Sequence, residues 1–214
     1  SRTIQWAKRA KSAYESQLAS RKTNPDQRPL IFGVIQGGGY PQLRKTCAEA
    51  LLEIGFDGFG FGGWPLDEQS NLLTDILEYT RSVVPREFPI HALGIGHPVS
   101  VSACYRMGYA MFDCAMPTRD ARHGRLYTLS SASAVPGTGK DWFAFRYVND
   151  EKYMRSKEPV SPGCDCPACQ HYSLGYLSHL YRMQDSAYFR LATQHNLRFM
   201  TRLMEHLSDE PILS

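Results

Sequence analysis

The segment MFDCAMPTRDARHG, residues 111–124, combines a short apolar run with a carboxylate and a series of arginines. The apolar residues 109–112 predict a buried strand that ends on Asp113. A carboxylate in that position is costly to desolvate unless it has partners or a chemical task. Pro117 predicts the end of regular structure and a polar loop, whose arginines suit phosphate groups: Arg119, Arg122 and Arg125. The alternative is that Asp113 caps the next turn and the arginines only cover the surface.

The composition is that of a folded globular protein. Of the 214 residues, 43% are hydrophobic and 21% are charged, which argues against a disordered chain and allows one domain of ordinary size, with or without a small appendage. The net charge of +3 neither requires nor excludes a nucleic-acid partner. No run of apolar residues is long enough to span a bilayer, so we expect no membrane association.

Upstream of residue 111, short apolar runs alternate with amphipathic segments. The pattern predicts a helix with a basic outer face over 4–17, strands over 30–36, 57–61, 90–95 and 109–115, and helices over 41–54, 67–84 and 98–107. Strands that alternate with helices of this length pair in parallel through right-handed crossovers. The strands are nearly continuous apolar runs, which is typical of a sheet covered on both faces. The predicted fold class is therefore α/β.

Polar residues and glycines stand where each predicted strand ends. The first strand ends on Gln36 and three glycines, the second on Gly62 and Gly63, the third on Gly94, and the fourth on Asp113. In parallel α/β folds the carboxyl ends of the strands share one edge, and that edge holds the active site. Glycines there let the backbone approach a ligand closely. We therefore expect an amide, two glycine turns and a carboxylate to meet at one rim.

The pattern changes after residue 125. Residues 126–129 and 142–145 predict small antiparallel strands outside the main sheet, and 172–207 predict two amphipathic helices with a break near 184–186. Phe143 and Phe145 have rings that can stack on nucleobases, although packing in the protein is the simpler interpretation.

Three cysteines crowd into the segment PGCDCPAC, residues 162–169. Thiols this close rarely form stable disulfides, whereas Cys164, Cys166 and Cys169 can converge on one tetrahedral ion. Zinc needs a fourth ligand, and the spacing leaves four candidates open: His171, His179, His195 and His206. Four protein ligands leave no position for chemistry, so the predicted Zn²⁺ site is structural. Reduced thiols with one metal site indicate a cytoplasmic protein.

Several motifs together resemble the tRNA-guanine transglycosylases, which exchange guanine in tRNA for a 7-deazaguanine. FDCAMPTR at 112–119 is similar to the nucleophile segment of that family, and GVIQGG at 33–38 to its base-recognition strand. FDGFGFGG at 56–63, LGIGHP at 93–98, the CDCPAC cluster and TQHN at 193–196 match further motifs. The resemblance covers nearly the whole chain at compatible spacing.

The resemblance implies a role for each site residue. Asp113 would be the nucleophile that attacks C1′ of the ribose. Arg119 and Arg122 would bind tRNA phosphates around the flipped-out nucleotide, and His195 would be the fourth zinc ligand. The base-binding set would comprise Gln36, Gly63, Trp64, Glu68 and Leu93, with Glu68 bracing the turn. Replacing one base by another with retained configuration favours two displacements through a covalent ribosyl-enzyme, which a carboxylate nucleophile provides.

The resemblance also implies the architecture. The fold would be the C-terminal half of a (βα)8 TIM barrel over residues 1–125, followed over 126–214 by a small β segment, an inserted zinc-binding subdomain and C-terminal helices. The family's N-terminal half supplies the other strands and the general acid/base aspartate, so we expect this chain to be a fragment that is inactive alone. The expected partners are tRNA, a 7-deazaguanine base and a second copy of the chain in a homodimer.

One departure from the family pattern bears on the base. The usual Gly-Gly-Leu turn reads Gly-Gly-Trp-Pro here, residues 62–65. Trp64 adds bulk and Pro65 removes an N–H, which favours a compact base such as preQ1 or preQ0. Two other interpretations stay open: a paralogue that inserts a 7-deazaguanine into DNA, and a non-catalytic zinc-bearing subunit that binds nucleic acid.

Overall fold

The computed structural model describes residues 2–131, 134–138 and 141–209. The chain divides into two compact units. The first contains the residues up to 95 together with 104–113, and the second contains 96–103 together with the residues from 114 onward. Within the described residues, no helix has both the length and the apolar character of a membrane span.

A parallel sheet forms the centre of the first unit. Its strands are β1 (Phe32–Ile35), β2 (Gly58–Phe61), β3 (Ile90–Ala92) and β4 (Met111–Phe112), paired in that order. The helices are α1 (Arg2–Arg21), α2 (Pro41–Ile54), α3 (Thr74–Ser82) and α4 (Pro98–Arg106), the last of which has residues in both units. The alternation and the parallel pairing predicted from the sequence are confirmed.

Several predicted elements are shorter in the structure: the strand predicted over 90–95, for example, ends at Ala92, and two further differences bear on the site. The helix predicted over 67–84 begins only at Thr74, because the Asp67 carboxylate accepts hydrogen bonds from the backbone N–H of Asn71 at 2.7 Å and from its side-chain amide at 3.0 Å. Such local bonds compete with helix formation. The strand predicted over 109–115 pairs only at Met111–Phe112, so Asp113 lies just beyond its end.

The two faces of this sheet differ. One carries side chains with no exposed surface, and they pack with equally buried residues of the helices to form the core: Ile35, Phe59, Phe61, Ile90, Ala92, Ala48, Leu51 and Leu77. On the other face Val34 is 36% exposed and Met111 is 42% exposed, and β2 presents Gly58 and Gly60. The prediction that both faces are covered is therefore wrong for these residues. We refer to this second side as the open face.

The second unit combines a hairpin with helices. β5 (Arg125–Leu129) and β6 (Phe143–Tyr147) pair in antiparallel fashion, as predicted. The helices are α5 (Met116–Arg122), α6 (Pro167–His171), α7 (Leu174–Arg182) and α8 (Ser186–Asp209), so the predicted break near 184–186 is confirmed. The loop predicted after Pro117 is wrong. That proline occupies the first turn of α5, where its missing N–H costs nothing.

Candidate active site and metal centre

Asp113 lies at the carboxyl end of the parallel sheet, on the residue after β4. Its side chain is 60% exposed, so the expected buried carboxylate is instead largely in solvent and costs little to desolvate. One oxygen, Oδ1, accepts a hydrogen bond from the backbone N–H of Gly94 at 3.1 Å and lies 2.9 Å from Nε2 of His91. The glycine turn and the carboxylate predicted at this rim therefore do meet.

His91 was absent from the predicted site, although the sequence carries a signal for it. His91 pairs with Met111 across β3 and β4, and Asp113 follows two residues later on the same side of the chain. Alternation of side chains along a strand therefore directs both side chains to the open face. A histidine between the fully buried Ile90 and Ala92 is the feature that could have identified it.

Gln36 and Leu93 each cover a glycine of β2 or of the turn that follows it, which we together call the β2 segment (residues 58–63). A Cβ atom added at Gly62 would stand 2.5 Å from Nε2 of Gln36, and one added at Gly60 would stand 3.0 Å from Cδ1 of Leu93. Gly63 has φ +108°, a conformation that favours glycine. Three of the residues predicted to bind the base thus lie in or against the β2 segment and its glycine turn.

Trp64 and Glu68 are both exposed to solvent. The Trp64 side chain is 77% exposed, and Glu68 is exposed in the loop that precedes α3. The contacts that brace this loop come from Asp67, through Asn71, and from the Pro65 carbonyl, which accepts a hydrogen bond from the Leu73 N–H at 2.9 Å. The bracing role of Glu68 stays a prediction.

Arg44 is a functional candidate that the sequence interpretation missed. Its guanidinium donates to the carbonyls of Gly38 at 2.8 Å, Gly62 at 3.0 Å and Ile35 at 3.3 Å, and it lies 4.1 Å from the ring centroid of Phe61. Arg44 is only 1% exposed, and this burial lowers the pKa of its side chain. The residue therefore ties the ends of β1 and β2 together.

The signal for Arg44 lies in helical spacing. The buried residues of α2 are Arg44, Cys47, Ala48 and Leu51, the i, i+3, i+4, i+7 pattern of a core-facing stripe. An arginine in such a stripe needs buried acceptors, which the carbonyls at the ends of the strands provide.

In the second unit, α5 presents the two predicted phosphate-binding arginines. Arg119 and Arg122 are exposed and three residues apart, hence on one side of the helix. Arg125, by contrast, belongs to β5 and forms an ion pair at 2.7 Å with the fully buried Asp120. Asp120 also accepts a hydrogen bond from the Tyr127 hydroxyl at 2.9 Å, and burial, together with this bond, raises the pKa of Tyr127.

A buried asparagine holds α5 and β5 to α8. The Asn196 amide donates to the carbonyls of Pro117 and Arg125 at 3.0 Å each, and its carbonyl accepts from the Tyr127 N–H at 3.0 Å. Asn196 has no exposed surface, so each of these bonds is made in a low-dielectric interior. The position of α5 therefore depends on the residue that follows His195.

The three cysteines and His195 form the metal-ligand cluster that was predicted. The ligand atoms of Cys164, Cys166, Cys169 and His195 all lie within 4.8 Å of one another. His195 Nδ1 lies 3.9, 3.4 and 3.3 Å from the three sulfur atoms, in that order. Zn–S bonds of about 2.3 Å and Zn–N bonds of about 2.0 Å, arranged tetrahedrally, require N···S separations of about 3.5 Å.

The second nitrogen of His195 supports the same interpretation. Nε2 lies 2.7 Å from the carbonyl oxygen of Tyr127 and donates to it, which leaves Nδ1 free to bind a metal. His195 is fully buried, so the ring is fixed by its surroundings. The donor set and its spacing fit a structural zinc ion, which would supply cross-linking of this part of the chain rather than chemistry.

Comparison with known proteins adds to this geometry. A family model described as queuine tRNA-ribosyltransferase matches residues 1–210. The chain belongs to the queuine tRNA-ribosyltransferase family. A member from Lysinibacillus sphaericus is 38% identical over 208 residues, which are 97% of this chain and 49% of that protein. A member from Mannheimia succiniciproducens is 37% identical over 205 residues, 96% of this chain and 48% of that protein.

These queuine tRNA-ribosyltransferases are longer than the chain described here. A third, from Caldanaerobacter subterraneus, is 36% identical over 207 residues, which are 97% of this chain and 49% of that protein. The chain therefore spans about half the length of the curated relatives that it matches. Membership of this family accords with the α/β fold, the parallel sheet and the cluster of three cysteines and one histidine.

Proposed function

We propose that this chain carries the nucleophile, part of the base-binding surface and the structural metal site of an enzyme that exchanges a base in tRNA. The enzyme replaces guanine at the anticodon wobble position by a 7-deazaguanine. The observation that carries the proposal is the placement of Asp113: an accessible carboxylate, held through one oxygen, on the open face of the sheet. The relatives named queuine tRNA-ribosyltransferase supply the reaction class.

The exchange proceeds by two displacements at C1′ of the ribose. In the first, a carboxylate oxygen of Asp113 bonds to C1′ as the bond from C1′ to N9 of guanine breaks, and the departing base keeps the electron pair. In the second, N9 of the incoming base bonds to C1′ and the ester bond to Asp113 breaks. The departing guanine gains one proton and the incoming base loses one. Two inversions retain the configuration of the sugar, as in retaining glycosidases.

The base-binding roles remain part of the proposal. Gln36 and Leu93 contact the base from either side of the β2 segment, and the backbone of Gly63 and Trp64 forms the adjoining turn, with Glu68 as its brace. The contacts of Gln36 with Gly62 and of Leu93 with Gly60 support this arrangement. The Trp64-Pro65 sequence supports a compact base such as preQ1, because a bulky side chain follows the turn.

The tRNA contacts are assigned to α5. Arg119 and Arg122 bind phosphates on either side of the nucleotide that leaves its stack, which costs a few kcal/mol and must be offset by contacts with the backbone. Their exposure on one side of a helix whose opposite side is anchored by Asn196 supports this role. Cys164, Cys166, Cys169 and His195 hold the zinc ion that stabilises this part of the chain.

The finer architecture is also part of the proposal. The four strands form the C-terminal half of a (βα)8 barrel within residues 1–125, and residues 126–214 contain the small β segment, the zinc-binding subdomain and the C-terminal helices. The exposed side chains on the open face, and β1 and β4 at the two edges of the sheet, support a half-barrel that meets further strands.

We also propose a homodimer in the cytoplasm. The rings of Tyr172 and Tyr176 stack at 5.3 Å on an exposed surface of the second unit, which is a composition typical of interfaces. The three metal-binding thiols require reducing conditions, which the cytoplasm provides.

The reaction is tested by the exchange of radiolabelled guanine, with the natural polypeptide that contains these residues offered unmodified tRNA and duplex DNA in parallel. We expect label in tRNA alone, and its loss in Asp113→Ala with tRNA binding and zinc content intact. Label in DNA alone would favour the DNA-modifying paralogue, and label in neither, from a folded and zinc-loaded protein, would favour the non-catalytic binding subunit. An unchanged rate in Asp113→Ala would reject the nucleophile.

The metal site is tested by Cys166→Ala. Removing one of four ligands should release zinc, measured by atomic absorption, and lower the thermal stability, because metal binding and folding are coupled. Cys104→Ala is a matched control, since Cys104 is equally buried but lies outside the cluster. Full stability after loss of zinc would contradict the structural role.

A further inference from the structure

We propose that His91 is the positioning residue of Asp113 and that Oδ2 is the oxygen that attacks C1′. The inference rests on the proposed function and adds to it the contact that aims the nucleophile. It concerns residues of the first unit only: His91 in β3, Gly94 in the turn that follows, and Asp113 after β4.

The two polar contacts of the Asp113 side chain converge on the same oxygen. Gly94 N–H donates to Oδ1 at 3.1 Å, and Nε2 of His91 lies 2.9 Å from Oδ1. Across the part of the chain that the structure describes, no hydrogen bond or ion pair reaches Oδ2. Oδ1 accepts from the Gly94 N–H and is the oxygen that faces the imidazole, whereas Oδ2 keeps its lone pairs for bond formation. The geometry therefore distinguishes a held oxygen from a reacting one.

His91 is built into the sheet as a fixed support. It lies in the third of four strands, paired on one side with Gly60 and on the other with Met111. Its side chain is 23% exposed, but Nε2 itself is shielded from solvent and has no aligned hydrogen bond among the described residues. Buried ring nitrogens in folded proteins normally make a hydrogen bond. The carboxylate of Asp113, 2.9 Å away, becomes that partner through a small rotation.

The chemistry requires Nε2 to carry the proton. An unprotonated Nε2 would direct its lone pair at an oxygen lone pair across 2.9 Å, which is repulsive, whereas an N–H there is attracted to the carboxylate. When Oδ2 bonds to C1′, Oδ1 becomes the carbonyl oxygen of the ester, which can accept from the Gly94 N–H and from the Nε2 proton of His91 once that ring has rotated. The same two contacts therefore hold the carboxylate before attack and the ester after it.

Holding Oδ1 has two opposed effects on the rate. Donors to a carboxylate stabilise its negative charge, which weakens it as a nucleophile by the few-fold that one hydrogen bond represents. Fixing the direction of Oδ2 avoids a misplacement of roughly 1 Å, which costs about 100-fold. Orientation is the larger effect, because the side chain is mostly exposed and Gly94 supplies its one well-formed hydrogen bond.

The test compares His91→Gln with His91→Asn and His91→Leu in the natural polypeptide. The Nε2 amide of glutamine reaches the place of the imidazole Nε2, whereas asparagine is one methylene too short and leucine has no donor. The readouts are kcat, the KM for guanine, and the rate at which labelled tRNA becomes covalently attached to the protein. The exposed His123 gives the matched control, His123→Gln.

We expect His91→Asn and His91→Leu to lower kcat and the rate of covalent attachment on the order of 10- to 100-fold, with the KM for guanine changed less than about threefold. His91→Gln should recover most of the rate, and His123→Gln should match the wild type. The glutamine and asparagine variants are both polar and differ by one methylene, so their comparison does not depend on the leucine variant folding.

Two results would overturn the inference: a wild-type rate of attachment in His91→Asn, or equal rates in His91→Asn and His91→Gln. Failure of the proposed function has a different signature, because the wild-type protein itself would then attach no tRNA, and Asp113→Asn would change nothing. A wild-type protein that attaches tRNA through Asp113 while all three His91 variants do so equally well rejects the role of His91 alone.

Discussion

Arg44 offers the sharpest test of how the fold supports the site. We consider Arg44→Met, which keeps an unbranched side chain of similar reach but removes the guanidinium. Three carbonyls lose a donor, those of Ile35, Gly38 and Gly62. Their losses differ. Gly38 is exposed, so water replaces the arginine, and the Ile35 carbonyl still accepts from the Gly62 N–H at 2.9 Å.

The Gly62 carbonyl decides the magnitude. Gly62 is buried, and an acceptor left unpaired in the interior costs about 1–3 kcal/mol. Loss of the contact between the Arg44 guanidinium and the Phe61 ring adds roughly 1 kcal/mol. Methionine fills part of the vacated volume and avoids the cost of burying a charge. We therefore expect the free energy of unfolding to fall by about 2–4 kcal/mol.

The assay is urea unfolding of the natural polypeptide followed by circular dichroism, combined with the KM for guanine. Because Arg44 holds the turn that carries Gly62 and Gly63, the KM should rise while the overall fold is retained. Arg190→Met is the control, since Arg190 is exposed and substitutions at such positions usually change stability by less than about 0.5 kcal/mol. An Arg44→Met protein as stable as that control, with an unchanged KM, would refute the reasoning.

Three further predictions each concern one contact or one set of hydrogen bonds. Gly62→Ala places a Cβ 2.5 Å from Nε2 of Gln36, so the Gln36 side chain must move. The KM for guanine, measured in steady-state exchange, should therefore rise several-fold. An unchanged KM would contradict the assignment of Gln36 to base binding. Asn196→Leu removes three buried hydrogen bonds, so the free energy of unfolding measured in urea should fall by about 3 kcal/mol or more. A smaller loss would indicate that these bonds are not formed. Arg28 lowers the pKa of Asp57 from 3.8 to about 2, so the stabilisation by this carboxylate is fully present above pH 4 and is lost as the pH falls towards 2; Arg28→Gln should flatten the pH dependence of unfolding over that interval.

Much of the fold could be predicted because its signals are local. Apolar runs of strand length separated by amphipathic segments fix a parallel α/β order, and Pro41 marks the first residue of α2 as predicted. The residues at the ends of strands could be placed on one rim because parallel strands share their carboxyl edge. Cysteine spacing identified three of the metal ligands, and the family resemblance added His195.

The parts that were missed depend on contacts between distant residues. α5 is fixed in place because Asp120 and Ala121 bury their side of it, with Asp120 paired to Arg125 on the next strand. Burial of Asp113 was expected because its strand is apolar, yet that side chain lies on the face that the helices of the unit leave uncovered. Neither outcome can be predicted from a window of neighbouring residues.

Under the proposed function, the glycines of β2 and of the turn after it restrict how the base-binding surface can change. On the open face, Phe32 covers Gly58, Leu93 covers Gly60 and Gln36 covers Gly62. A methyl group at Gly58 or Gly62 would collide with the covering side chain, and one at Gly60 would stand 3.0 Å from Leu93 Cδ1. Selection therefore has little freedom on β2 itself. If Gln36 and Leu93 contact the base as proposed, new preferences would arise at positions 36 and 93, on the side chains that cover these glycines, and not on the glycines themselves.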